Sequence, residues 1–223
     1  MRDAITAVGV VVPAHDEAEL VAAALESVVA AAGRVDVPVE IVVVSNGSTD
    51  ATSQVARARG ATVLELPSAG VGAARALGAA VSLRGRDPRG LWLASTDADS
   101  RVPSSWLSHH LELADAGADV VLGTVCLDDH HLPDHAEWWR TYRHPIGLDA
   151  HPHVHGANLG VRGSTYVAAG GFADLDRDED VDLVRRLRDV TDRIVTTDGS
   201  AVVTSARLVG RAVGGVADDL AGA

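Results

Sequence analysis

The feature that most constrains this chain is a rhythm. Short apolar runs alternate with longer segments of helical periodicity through the first half of the sequence. Residues 8–12 form a mainly β-branched run closed by Pro13, as expected of a strand buried on both faces. A helix is expected over 17–32, with Asp16 as its cap and Leu20, Ala24, Val28 and Ala31 on one face. Runs at 40–44, 62–66, 91–95 and 119–124 read as further strands. Helical patterns over 48–59, 72–83 and 103–116 separate them, with Gly60 stopping the first of these. Strands spaced by such helices make βαβ units, so the fold class is α/β with a mainly parallel central sheet flanked by helices.

Composition narrows the function. Apolar residues make up 47% of the 223, enough for a sizeable core, but aromatics are only 3%, so that core rests on Ala, Val and Leu. The 19 cations are all arginine, which removes chemistry that needs a lysine, such as Schiff bases and the Walker A phosphate loop. Against 31 acids they leave a net charge of -12, a poor match for a nucleic-acid backbone or an anionic membrane surface. One cysteine, Cys126, cannot form an intrachain disulfide and fits a reducing compartment. No apolar run approaches the roughly 18 residues of a membrane span. Met1-Arg2-Asp3-Ala4 does not open a signal peptide, so a cytoplasmic protein without an integral membrane segment is expected.

The rhythm breaks over 125–155, a stretch rich in His, Asp and Pro, where a helix is expected at 133–142. Seven of the ten histidines fall here, from His130 to His155, and loop histidines beside a site are favoured over a metal cluster. Order returns with an extended 158–162, a helix at 164–169, a break at Gly170-Gly171 and a helix at 179–188. The end, 213–223, has little to bury and is expected to fray.

Several segments carry candidate chemistry. Asp97-Ala98-Asp99 follows a buried strand, where ligands of open α/β sheets bind. Two carboxylates around a small residue suit one Mg²⁺ or Mn²⁺, though an acidic turn has the same spelling. Pro13-Ala14-His15-Asp16-Glu17 is a strand-to-helix loop that could hold a nucleotide on backbone N–H groups, or be a plain turn. Asn46, in Ser45-Asn46-Gly47-Ser48-Thr49-Asp50, could pair with a base edge, while Ser48 and Thr49 suit helix caps. Gly70-Val71-Gly72-Ala73-Ala74-Arg75 lacks the third glycine of a dinucleotide fingerprint, and Arg75 could neutralise a phosphate or sit on the surface. Glu179 and Asp180 open a helix, where the dipole keeps a carboxylate ionised near pH 7. That suits a base or a cap, and the helix is expected to bury Val181, Val184 and Leu187.

Taken together these pieces resemble the family 2 glycosyltransferases of the GT-A fold, over residues 8 to 212. The loop at Val10–Glu17 is similar to the family's donor loop. Asn46 and its neighbours resemble the second donor loop, and Gly70–Arg75 the helix under the diphosphate. Asp97-Ala98-Asp99 resembles the metal motif. Gly156-Ala157-Asn158, Gly170-Gly171-Phe172 and Glu179-Asp180 resemble the acceptor-side segment and its acidic motif. The resemblance implies a single Rossmann-like GT-A domain over 1–212, with a nucleotide-sugar half to about 124 and an acceptor-side half beyond. It implies a UDP- or GDP-sugar donor, Mg²⁺ or Mn²⁺, and inverting transfer to the hydroxyl of an unidentified acceptor. Pro13, Ala14, His15, Glu17, Asn46, Arg75, Asp97 and Ala98 would meet the donor. Asp99, with Asp97, would hold the metal. Asp180 would be the base, with Glu179 as its substitute. The family often has Asp where Asn46 stands, and some relatives add a late histidine to the metal; here none follows His155. The alternatives are a sugar-nucleotide pyrophosphorylase, disfavoured by the missing lysine and glycine loop, and a non-catalytic nucleotide- or partner-binding domain of the same fold.

Overall fold

The computed structural model describes residues 3–128, 134–143, 151–207 and 220. Four strands, β1 (Ala7–Ala14), β2 (Val39–Asn46), β3 (Thr62–Leu66) and β4 (Leu91–Ser95), are parallel. They alternate with α1 (Val21–Ala32), α2 (Thr52–Ala58) and α3 (Val71–Leu83). Then follow α4 (Trp106–Asp115), β5 (Val120–Leu127), α5 (Ala136–Arg143), β6 (Leu159–Arg162), α6 (Gly163–Ala168), α7 (Glu179–Arg188) and β7 (Ile194–Thr204). A 3₁₀ turn at Gly156–Asn158 leads into β6. The seven strands form one sheet in the order β3-β2-β1-β4-β6-β5-β7.

The alternation of side chains explains why the central strands are apolar throughout. Val10, Val12, Trp92 and Ala94 face one cluster, with Leu25, Val28 and Trp106. Val11, Leu91 and Leu93 face the other, with Tyr166, Leu183 and Leu187. Both faces are covered by helices, so both sets of alternating positions are mainly apolar. The small aromatic content is concentrated: Trp92 and Trp106 are fully buried and flank His110.

Five expectations are corrected. Helix α1 begins at Val21, not residue 17, because the preceding N–H groups are already satisfied by the second loop: Glu17 donates to Thr52 Oγ1 (2.8 Å) and Ala18 to Asp50 Oδ2 (3.0 Å). Asp16 is in the left-handed region (φ 51°), makes no cap and accepts the Thr49 N–H at 2.7 Å instead. Leu20 lies outside the buried stripe, which is Val21, Ala24, Leu25, Val28 and Ala31. The apolar face of α7 is Leu183, Val184 and Leu187, while Val181 is exposed. Finally, the strand expected at 119–124 is longer. Strand β5 runs on to Leu127, β6 inserts antiparallel between β4 and β5, and β7 pairs parallel with β5. Of 213–223 only Leu220 lies within the described residues, and it is buried beside Trp138 and Tyr142. The expected start of a helix at 133 also lies outside them; the helix there is Ala136–Arg143.

Close approach fixes how α3 meets the second half. Gly72 donates its N–H to Leu175 O (3.0 Å), and a Cβ on Gly72 would overlap the Ala173 carbonyl. That neighbour is backbone and cannot rotate away. Gly72→Ala is therefore expected to cost about 1–3 kcal/mol, or roughly 2–12 °C in Tm at this chain length. Thermal denaturation of the purified variant checks it.

Candidate functional site

The carboxyl ends of β1, β2 and β4 lie side by side, because β1 pairs with both of the others. They deliver three loops to one edge: 15–17, 47–50 and 96–99. Open α/β sheets bind ligands in such a crevice. The first two loops are knotted together. His15 Nδ1 donates to the Asn46 carbonyl (2.7 Å), and Asp16 accepts from Thr49 and Asp50. The Asn46 amide is engaged with Ala69, donating to its carbonyl (2.7 Å) and accepting its N–H (3.0 Å). Asn46 thus pins the loop that leads into α3. Pro13 and Ala14 end β1, and Ala98 is buried between the two aspartates.

Arg75 is no surface residue: it is 3% exposed. Its Nε donates to Glu179 (2.8 Å), Nη1 to Ser95 Oγ (2.5 Å) and the Gly156 carbonyl (3.3 Å), and Nη2 to Asp97 (2.7 Å). Burial alone would weaken its charge, but Asp97 and Glu179 outweigh that and raise its pKa. The contact is possible because residue 156 is glycine; a Cβ there would strike the guanidinium. Helix α3 and helix α7 are joined through this one side chain.

Asp180 sits beside Glu179 at the start of α7. Its Oδ2 accepts the Gly156 N–H (2.6 Å) and its Oδ1 the Val181 N–H (2.7 Å). Burial raises its pKa to about 6, Glu179 adds to that, and Arg75 opposes it. With its pKa raised to about 6, Asp180 is ionised at pH 7 by a narrower margin than the helix start alone would give. Asp97, Asp180 and Glu179 thus share one hydrogen-bonded network.

Asp99 is also driven upward, to about 6, by burial first and then by Asp97. It pairs with Arg207, whose Nη2 lies 2.9 Å from Asp99 Oδ2. The same guanidinium forks onto Glu17, at 2.9 and 2.5 Å. Glu17 is buried, and both its carboxylate oxygens are taken by Arg207. Sequence reasoning missed Arg207, since a lone arginine after β7 carries no local signal. The β-branched runs of β7 that carry it there were a readable signal.

Among the described residues no group of three or more His, Cys, Asp or Glu side chains converges on a metal position. Asp97 and Asp99 supply two carboxylates. That suits a magnesium-type ion, which takes one or two carboxylates and completes its shell with substrate phosphate and water.

Between β5 and β6, where the strand–helix rhythm breaks, the described residues include an aromatic column. Tyr142 stacks on Trp138, Trp139 and His153, with centroids 5.0, 5.7 and 4.1 Å away. Its hydroxyl accepts the Val125 N–H and lies 3.0 Å from His155 Nε2. Burial lowers the pKa of His155 to about 4, so it is neutral near pH 7. His130, His131 and His144 lie outside the described residues.

The sheet order and the loops at its carboxyl edge are those of the GT-A fold, which the solved structures below share. The glycosyl transferase family 2 model matches residues 9–168, and the chain belongs to that family. No curated protein matches the chain. Solved structures of the same fold include Staphylococcus aureus TarS 1-349 in complex with UDP-GlcNAc (TM-score 0.64, 17% identity, 89% of this chain and 57% of that one). Another is the mannosyltransferase PcManGT from Pyrobaculum calidifontis in complex with GDP-Man and Mn²⁺ (0.62, 21%, 94% and 59%). A third is glucosyl-3-phosphoglycerate synthase from Mycobacterium tuberculosis with Mn²⁺, UDP and glucosyl-3-phosphoglycerate (0.62, 19%, 91% and 73%). The chain spans less than two thirds of the length of the first two. No helix among the described residues is long and apolar enough to cross a membrane.

Removing the Arg75 charge strands Glu179 and Asp97. Arg75→Met is expected to destabilise the fold by about 3–5 kcal/mol, the usual result of breaking one side of a buried ion pair. Urea denaturation, read as a lowered midpoint, tests this.

Proposed function

We propose that the protein transfers a sugar from a nucleoside-diphosphate sugar to an acceptor hydroxyl, with inversion at the anomeric carbon and with Mg²⁺ or Mn²⁺. One observation carries the reading: Asp97, Asp99 and Asp180 converge at the carboxyl edge of β1 and β4, with Asp97 and Asp180 linked through Arg75 and Gly156. The bound nucleotides of the structural neighbours, UDP-GlcNAc and GDP-Man, support a UDP- or GDP-sugar donor. The Mn²⁺ of two of them supports a divalent cation.

Each residue then has a task. The loop 13–17 lines the nucleoside pocket, and Asn46, held on Ala69, fixes its far wall. Asp99, with Asp97, would hold the cation. When bound, the cation would stabilise charge on the diphosphate as the sugar–phosphate bond breaks. Asp180 takes the proton of the acceptor hydroxyl as that oxygen bonds the anomeric carbon. The bond to the diphosphate oxygen breaks on the opposite face, and its electron pair leaves with the nucleotide. Glu179 is spent on Arg75, which leaves Asp180 as the base. The described part of residues 125–212 would receive the acceptor, with the part-exposed Trp139 a natural stacking surface.

Two measurements test this. Release of nucleoside diphosphate from UDP- and GDP-sugars with Mn²⁺ should fall on the order of 10²-fold or more in Asp99→Asn and in Asp180→Asn; undiminished turnover in both would sink the reading. The rate should also follow the ionisation of Asp180. Its raised pKa means that proton loss completes only above about 6. Activity is therefore expected to climb with pH through that region and level off above pH 7. The sign for stability is opposite. The folded state holds this proton where the unfolded chain has lost it, so between about 4 and 6 Asp180 makes the fold less stable as pH rises.

A further inference from the structure

Arg207 belongs to none of the family motifs, yet it closes the site. It follows β7, which ends at Thr204, and its guanidinium comes back to the mouth of the donor crevice. Its two contacts are unequal. Both Nη atoms fork onto Glu17, whose side chain is 6% exposed, whereas Asp99 is met by Nη2 alone. Glu17 anchors the guanidinium and Asp99 shares it. The Asp99 oxygen so engaged, Oδ2, is one that a divalent cation would use. A guanidinium on that oxygen competes with a metal ion for it and repels the ion, and a diphosphate offers Nη2 stronger acceptors than one carboxylate oxygen does.

We infer that Arg207 is a tethered cation that guards Asp99. In the donor-free protein it holds Oδ2 and keeps metal affinity low. A nucleoside diphosphate draws the guanidinium onto its own oxygens and releases Asp99. Metal and diphosphate therefore bind as a mutually strengthening pair, and the coupling must be reciprocal. Charge favours this arrangement: Glu17, Asp97 and Asp99 crowd together, and without Arg207 their repulsion is unrelieved on the Glu17 side. The inference rests on the donor and metal reading above.

The test is Mn²⁺ binding to the full chain, followed by electron paramagnetic resonance of the free ion, with no nucleotide, with UDP and with GDP. Wild-type protein should bind Mn²⁺ weakly alone and about tenfold or more tightly with the matching diphosphate. Arg207→Gln should bind Mn²⁺ alone about tenfold more tightly than wild type, and most of the gain from diphosphate should vanish. Arg207→Lys keeps the charge but cannot fork onto Glu17 and reach Asp99, so it should shift in the same direction; it also serves if the glutamine variant fails to fold. Arg57→Gln, on α2 and paired with Glu65, removes the same charge elsewhere and should change nothing. Diphosphate-strengthened binding in wild type, with unchanged Mn²⁺ affinity in the Arg207 variants, would overturn the inference alone. Wild-type protein that binds no Mn²⁺ with either diphosphate would overturn the donor and metal reading, and the inference with it.

Discussion

Everything at the site depends on one arginine that has left water. Arg75 is buried, and a buried guanidinium is tolerable only if its donors are met by well-placed acceptors. Four acceptors meet it, from the end of β4, the loop after it, the turn before β6 and the start of α7. These come from both halves of the chain. The guanidinium therefore does more than balance charge: it sets the distance between the aspartates after β4 and the carboxylates of α7. Gly72 and Gly156 belong to the same arrangement. One lets α3 lie against 173–175, the other lets the guanidinium reach the turn. A side chain at either position would separate the groups that the proposed chemistry must hold together.

The electrostatics follow from this packing. Five carboxylates, Glu17, Asp97, Asp99, Glu179 and Asp180, face two guanidinium groups, Arg75 and Arg207. The formal surplus is three negative charges. A site in that state repels a diphosphate and attracts a cation, so the two are expected to arrive together. Burial first, and like charge second, lifts Asp99 and Asp180 to about 6, while surface carboxylates such as Asp16 and Asp182, paired with N–H groups or arginine, are shifted down. Burial and like charge act in the crevice; hydrogen bonds win at the surface.

The first half of the fold was legible because its strands are buried on both faces and its helices run through whole turns. The apolar run 91–95 coincides with β4, and the stop at Gly60 coincides with a glycine at φ 81°. The second half was less legible for physical reasons. Strand β6 has four residues, too few to show a period, and its antiparallel direction is set by neighbours far away in sequence. Strand β7 carries Asp198-Gly199-Ser200 in its middle, polar and flexible residues that hide a strand pattern, and its register with β5 shifts at that point. Asn158 fills the irregularity, donating to the carbonyls of Thr124 and Ser200. Motifs such as Asp97-Ala98-Asp99 and Glu179-Asp180 could be read as types in order. What each carboxylate pairs with could not, because Arg75 and Arg207 reach them from 22 or more residues away.

The aromatic column bears on how pH acts at the site. Histidine is the side chain that ordinarily titrates near neutrality, and His155 stands next to Gly156, in the network of Asp180 and Arg75. Burial and the neighbouring histidines hold its pKa near 4, so between pH 5 and 8 it stays neutral beside a site already rich in charge. Its neutral ring can share a hydrogen bond with Tyr142, whose own pKa is pushed up to about 12 by burial. The column therefore supplies shape without charge. Asp99 and Asp180, the residues proposed to hold the cation and take the proton, are carboxylates lifted toward this range, to about 6.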